Sequence, residues 1–158
     1  MAILPIVTGV QDKILRTESK PVKNIDKKIK KLIKDMTDTV IDVDGLGIAA
    51  PQVGVNLRIY IARLNHGTRH EMWVPMINPE FLQLGGKREK NEEGCLSIPN
   101  KFGDVERRTE VLMRYQDEKG KTHVLQLDSL NARIMQHEMD HLNGTLIADH
   151  WKKEPRDG

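Results

Sequence analysis

Residues 137–141 read His-Glu-Met-Asp-His. Two histidines four positions apart on a helix leave from one face, about one turn of ~3.6 residues apart, so both imidazoles reach a single metal ion. The glutamate after the first histidine has the length to reach a water beside that ion without ligating it. The pentapeptide therefore implies a metal, a water and a base, the parts of a hydrolytic centre.

Two imidazoles leave a catalytic metal one protein ligand short. The extended pattern HExxHxxGxxH is followed through Gly144, but Ile147 stands where its last histidine belongs. The single glutamate downstream, Glu154, lies in a polar tail, so the missing ligand is expected upstream. Cys95, the only cysteine, sits in EGCLS (93–97) between a charged Gly-containing stretch and a Pro-containing turn. A thiolate with two imidazoles and one open position is a known catalytic donor set, and a bound cation keeps the thiol deprotonated. Cys95 is thus the favoured third ligand, with a buried structural thiol as the alternative. Two rival functions stay open at this point. One is a zinc endopeptidase; the other is a closed, non-enzymatic site recruiting His66 and His70, although their polar surroundings, HGTRH, fit solvated loop residues better.

The elements that must position these residues are legible from periodicity. At 158 residues the chain suits one domain, expected over 1–150, with 151–158 a short polar tail. Charged residues at 30% and a net charge of +2 give no footprint of a nucleic-acid binder. One cysteine excludes an internal disulfide, and the start MAILPIVTGVQDK has no basic leader. No segment approaches the ~18 apolar residues of a membrane span, so a cytoplasmic protein without membrane contact is expected.

From Asn24, taken as N-cap, Ile25, Ile29, Leu32, Ile33, Met36 and Val40 repeat at helical spacing with lysines opposite, which predicts an amphipathic surface helix. The run KKIKKLIK is read as its solvated face. Leu57, Ile59 and Ile61 alternating with Arg58 and Tyr60 predict a half-buried strand. Further strands are expected at 73–78, 81–84, 111–116 and 122–127, the last two joined as a hairpin across Glu118, Lys119 and Gly120. A second helix should run from Asp128 or Ser129 to Gly144, with Leu130, Ile134, His137 and His141 as one stripe packing on the sheet and presenting the imidazoles inward. A short strand is expected at 145–148. The class is α+β: antiparallel or mixed sheet around a central helix bearing HExxH, plus the N-terminal amphipathic helix.

Three segments in this order, GLGIAAPQ (45–52), EGCLS (93–97) and QHEMDHLNG (136–144), resemble the peptide deformylase family. The likeness covers roughly residues 5–150. It implies an enzyme that removes the formyl group from the N-terminal formyl-methionine of newly made polypeptides, releasing formate. By this resemblance Cys95, His137 and His141 bind the metal, Glu138 is the base, and Gln52 with the Leu96 backbone N–H stabilises the oxyanion. Leu46, Leu130 and Ile134 would line an apolar pocket for methionine, and Gly45 and Gly47 would let a peptide approach as an added strand. The family likeness points to iron(II), with zinc, nickel or cobalt able to substitute; a monomer is expected.

The same likeness suggests a Glu93–Arg107 ion pair bracing the EGCLS loop, and places Gln136 and Asp140 beside the ligands. Arg133 and Asn91 are polar where many relatives are apolar. Longer members continue into a C-terminal helix used for ribosome docking, so any ribosome association here is expected to use another surface.

Overall fold

Asp26, extended at φ −93° and ψ −174°, turns its carboxylate onto the Ile29 N–H at 3.0 Å and starts helix α1 (Lys27–Asp42). The cap therefore falls two residues after Asn24. Ile33, Met36, Thr39 and Val40 form the buried side of α1, and Thr39 Oγ1 also accepts from the Leu4 N–H at 2.9 Å, tying the N-terminal segment to the helix. The computed structural model describes residues 2–151, so the expected polar tail at 152–158 lies outside the described residues.

Five antiparallel strands follow in simple meander order: β1 (Gly47–Ala49), β2 (Ile59–Leu64), β3 (Met72–Cys95), β4 (Ile98–Gln116) and β5 (Thr122–Asp128). A 3-10 turn at Ala50–Val53 separates β1 from β2. The expected half-buried strand at 57–61 is buried on both faces, and Tyr60 is fully enclosed. Successive residues point to opposite sides of a sheet, and here both sides are covered. Ile59 and Ile61 pack with Ile33, Met36 and Val40 of α1, while Tyr60, Ala62 and Leu64 join a second core on the other face.

The separate strands expected at 73–78 and 81–84 are one long strand. Asn78, at φ +50°, and Pro79 fall at a register shift between Ile77 and Glu80, so the apparent break is a bulge that removes a ladder position instead of ending the strand. Further shifts between Gly85 and Arg88 and between Gly94 and Cys95 bend the β3–β4 ribbon and deliver Cys95 to its end. The β4–β5 hairpin turns where expected, with Gly120 at φ +81° and its N–H on the Asp117 carbonyl at 2.9 Å.

Helix α2 (Ser129–Leu142) crosses the second face of the sheet, burying Ala132, Met135, Met139 and Leu142 against Tyr60, Met76, Val111 and Met113. Of the expected stripe Ile134 joins this core and His141 is buried, but the rest of the sheet-facing side is carried by other residues. Leu130 is 40% exposed, and with Ile134 and His137 it lines a cleft. Gly144, at φ +75°, follows the helix as expected, and a Cβ there would meet the Arg16 carbonyl at 2.6 Å. The strand expected at 145–148 is instead the start of helix α3 (Ile147–Trp151). Asp149 Oδ2 reaches back to accept from the Leu146 N–H at 3.0 Å, half of a capping box, and Leu146, Ile147 and Ala148 bury against Ile98 and Val105 of β4.

Candidate active site

Helix α2 is pinned at its middle and at its C-terminal end before it presents anything. Gln136 mimics a strand partner: its Oε1 accepts from the Arg108 N–H at 2.9 Å and its Nε2 donates to the Arg108 carbonyl at 2.8 Å. Gln136 thus ties α2 to β4 and does not touch either histidine ring through these bonds. At the C-terminal end Arg58 donates to the Leu142 carbonyl and to Asn143 Oδ1 at 3.2 and 2.9 Å.

From this fixed helix His137 and His141 face each other edge-on with ring centroids 5.1 Å apart. Donor atoms of Cys95, His137 and His141 all lie within 4.8 Å of one another, and Cys95 Sγ is 3.3 Å from His141 Nε2. His66, by contrast, sits in an exposed loop against Glu71 Oε1, and among the described residues neither it nor His70 joins the group. Ile147 is buried in α3.

The Glu93 carboxylate, almost wholly buried, is the hub behind the site. Its Oε1 meets His137 Nδ1 at 2.9 Å and Arg107 Nη2 at 3.0 Å, and its Oε2 accepts from Arg107 Nε at 3.1 Å and Arg133 Nη1 at 2.5 Å. The expected Glu93–Arg107 pair is therefore bidentate, and it is buried. Arg107 Nη1 also donates to Asp140 Oδ2 at 2.6 Å, and His150 Nε2 approaches the same oxygen at 2.9 Å. Burial pushes Glu93 upward, but hydrogen bonds from His137 and Arg107 outweigh it and hold the carboxyl well below the usual range. Asp140 is likewise held low, its burial opposed by His150 and Arg107.

The same surroundings drive the two imidazoles apart. Burial forces His141 down to about 3, with the charge of His137 acting in the same direction, which favours the neutral ring. Burial also opposes the charged form of His137, yet hydrogen bonds with Cys95 and Glu93 lift it well above the ordinary imidazole value. Because Glu93 occupies Nδ1, the proton that a cation would displace sits on the side facing Cys95. Glu138 is 3% exposed, and its Oε1 has no hydrogen-bond partner. Burial raises it to about 7, near the value at which a carboxyl both takes and returns a proton at neutral pH. A borderline-soft donor set of one sulfur and two imidazoles, with an orphaned carboxylate oxygen beside it, fits a divalent first-row ion.

Gly47 is where the backbone of β1 meets this carboxylate, since a Cβ there would stand 2.8 Å from Glu138 Oε2. Gly45 is tight for another reason: its added Cβ would press on Val40 at 3.0 Å. Gln52 is buried, with Oε1 accepting from the Ala49 N–H at 2.9 Å, which turns Nε2 toward Ser97 Oγ at 3.2 Å and Cys95 Sγ at 3.7 Å. Leu46, Leu96, Leu130, Ile134 and Phe102 line a cleft of about 530 Å³ that opens onto Cys95, His137 and Glu138. Arg133 shares this lining; Asn91 does not, and its side chain donates to Glu89 instead.

The residues that motif reasoning left without a role are Ser97 and His150. Ser97 lay in the EGCLS segment, but its place beneath Gln52 depends on the β3–β4 turn. His150 meets Asp140 only because 147–151 is helical. No helix among the described residues is long and apolar enough to cross a membrane.

Residues 3–157 match the family model described as polypeptide deformylase. The chain is 42% identical over 157 residues to the peptide deformylase of Bartonella quintana, covering 99% of this chain and 89% of that protein. It is 41% identical to that of Chlorobaculum parvum, over 98% and 82%. A crystal structure of peptide deformylase from Thermotoga maritima superposes with a TM-score of 0.88 at 39% identity, covering 95% of this chain and 98% of the other. A Met-Ala-Ser-bound class I type b peptide deformylase from Acinetobacter baumannii gives 0.87 at 34%, over 94% and 98%.

Proposed function

This chain belongs to the polypeptide deformylase family, and on that premise we propose that Cys95, His137 and His141 hold one divalent ion while Glu138 moves the proton during hydrolysis of an N-terminal formamide. The family's reaction removes the formyl group of newly made polypeptides. Water adds to the formyl carbon, the C–N bond breaks, and formate and a free N-terminal amine leave. The observation that carries the assignment is the convergence of three donors beside a partnerless, buried carboxylate oxygen.

When bound, the ion supplies Lewis acidity, bringing the pKa of water down toward about 7 and polarising the formyl carbonyl. Glu138 Oε1 takes the proton from the attacking water and returns it to the departing nitrogen. Gln52 Nε2 and the Leu96 N–H are the donors for the oxygen on which charge develops, and Gln52 is preset by its bond to Ala49. Leu46, Leu130 and Ile134 receive the methionine side chain, whose flexible thioether suits an apolar cleft. The peptide lies along Gly45 and Gly47, because β1 ends the sheet and its outer edge offers backbone groups to an added strand. The Acinetobacter baumannii relative is a Met-Ala-Ser-bound structure, which supports a short methionine-led peptide as the occupant.

The donor set suits several first-row ions, and the family likeness selects Fe²⁺ among them, with Zn²⁺, Ni²⁺ or Co²⁺ as substitutes. The working unit is a monomer with one catalytic domain over 1–150, acting in the cytoplasm on nascent formyl-methionyl chains near the ribosome. Anaerobic purification with metal analysis, followed by formate release from formyl-Met-Ala-Ser, tests the reading. It expects about one iron per chain and stoichiometric formate. Cleavage of unformylated peptides without formate would assign an endopeptidase instead.

A further inference from the structure

Arg133 stands one helical turn before His137 on α2, and both residues reach the same carboxylate on β3: His137 Nδ1 at Glu93 Oε1 and Arg133 Nη1 at Glu93 Oε2. The guanidinium has further anchors, with Nη1 on the Val105 carbonyl at 3.0 Å and Nη2 on the Glu89 carbonyl at 2.6 Å, so it staples α2 to both strands of the long ribbon. Its side chain is 12% exposed and faces the cleft beside Leu130 and Ile134.

Charge acts in the same direction as geometry. Glu93 and Asp140 are two carboxylates sharing Arg107, whose three donations to them are divided two to one. Arg107 divides its guanidinium between them and Asp140 also meets His150 at 2.9 Å, so Arg133 brings a second guanidinium to Glu93 alone. With it, both Glu93 oxygens are doubly engaged, and the carboxylate has one orientation in which Oε1 lies on His137 Nδ1. Remove it, and Oε2 keeps a single donor, so the carboxylate is held only by the Arg107 fork and His137 and loses its anchor on the cleft side.

We propose that Arg133 is a positioning residue: it fixes Glu93 from the cleft side and thereby sets the orientation of the His137 ring toward the ion and the scissile group. This rests on the metal site proposed above. A wall residue would touch only substrate, whereas this role predicts an effect on metal binding with no substrate present.

The test uses the full chain, made metal-free and titrated with Co²⁺, reading affinity and the thiolate-to-cobalt absorption, followed by formate kinetics on the Co²⁺-loaded protein. Arg133→Met keeps the length and removes the charge and donors. It is expected to weaken Co²⁺ binding by about tenfold or more, to alter the visible spectrum, and to lower kcat with KM near that of the wild type. Arg133→Lys should fall between the two, and Arg133→Met added to Glu93→Gln should cost little beyond Glu93→Gln alone. Wild-type Co²⁺ affinity and spectrum with only KM raised, or additive losses in the double variant, would overturn the role. If Arg133→Met does not fold, Arg133→Lys decides by the same readouts, since it keeps a cation but loses the fork. Lack of the thiolate band in the wild type overturns the metal site and this role with it; an unchanged band in a folded Arg133 variant overturns Arg133 alone.

Discussion

Glu93 Oε1 lies 2.9 Å from Nδ1 of His137, so the opposite ring nitrogen is left to face Cys95 and His141. The bond joins a strand residue to a helix residue 44 positions later, and its strength depends on how firmly the carboxylate is held. Four donor contacts converge on Glu93, three of them from guanidinium groups.

Arg107→Met should therefore destabilise the fold itself. It leaves the buried Glu93 and part of Asp140 without their shared cation, and breaking one side of a buried charge network costs on the order of 3–5 kcal/mol. Chemical denaturation at pH 7 checks this. A loss below about 1 kcal/mol would mean that the network contributes little.

Glu138→Gln removes the base and no ligand. Metal content should stay at the wild-type level while turnover falls by about 10²-fold or more, measured as formate release beside elemental analysis. Near-normal rates would remove Glu138 from the chemistry.

The same substitution has a signature in pH-dependent stability. The folded-state value of Glu138 is raised to about 7 from an ordinary 4.5, so its contribution is full below about 4.5 and is lost as pH rises through about 7. In the metal-free protein, the stability difference between Glu138→Gln and wild type should shift by about 3 kcal/mol in favour of Gln across that window. A difference that is flat with pH would contradict the burial of this carboxylate.

Gly47→Ala should act on Glu138 from the opposite side. The added Cβ would stand 2.8 Å from Oε2, so either β1 or the carboxylate must shift. A kcat at least about tenfold lower is expected, the scale of a small misplacement of a reacting group, with metal content unchanged. An unaffected kcat would show that the loop yields without cost.

Much of this site was legible because its information is local. Histidines four apart on a helix share a face whatever surrounds them, and the order of GLGIAAPQ, EGCLS and QHEMDHLNG carried the family. The expected half-buried strand missed the enclosure of Tyr60 because a period-two pattern describes one covered face, and the second core that encloses this ring comes from α2, about 70 residues later. Strand breaks near Pro79 were bulges, since a lost ladder position and a strand end look alike in one dimension. The helix at Ile147–Trp151 depends on the Asp149 cap and on packing against β4. Arg133 looked like an intrusion into an apolar pocket until its partners on β3 and β4 were visible.

The central claim is that one sulfur and two imidazole nitrogens surround a single cation. X-ray absorption at the metal edge of the anaerobically loaded protein measures it directly. The account predicts one sulfur at about 2.3 Å with imidazole nitrogens at about 2.0–2.1 Å for the zinc form, and loss of the sulfur scatterer in Cys95→Ser. A first shell made only of nitrogen and oxygen in the wild type would contradict it.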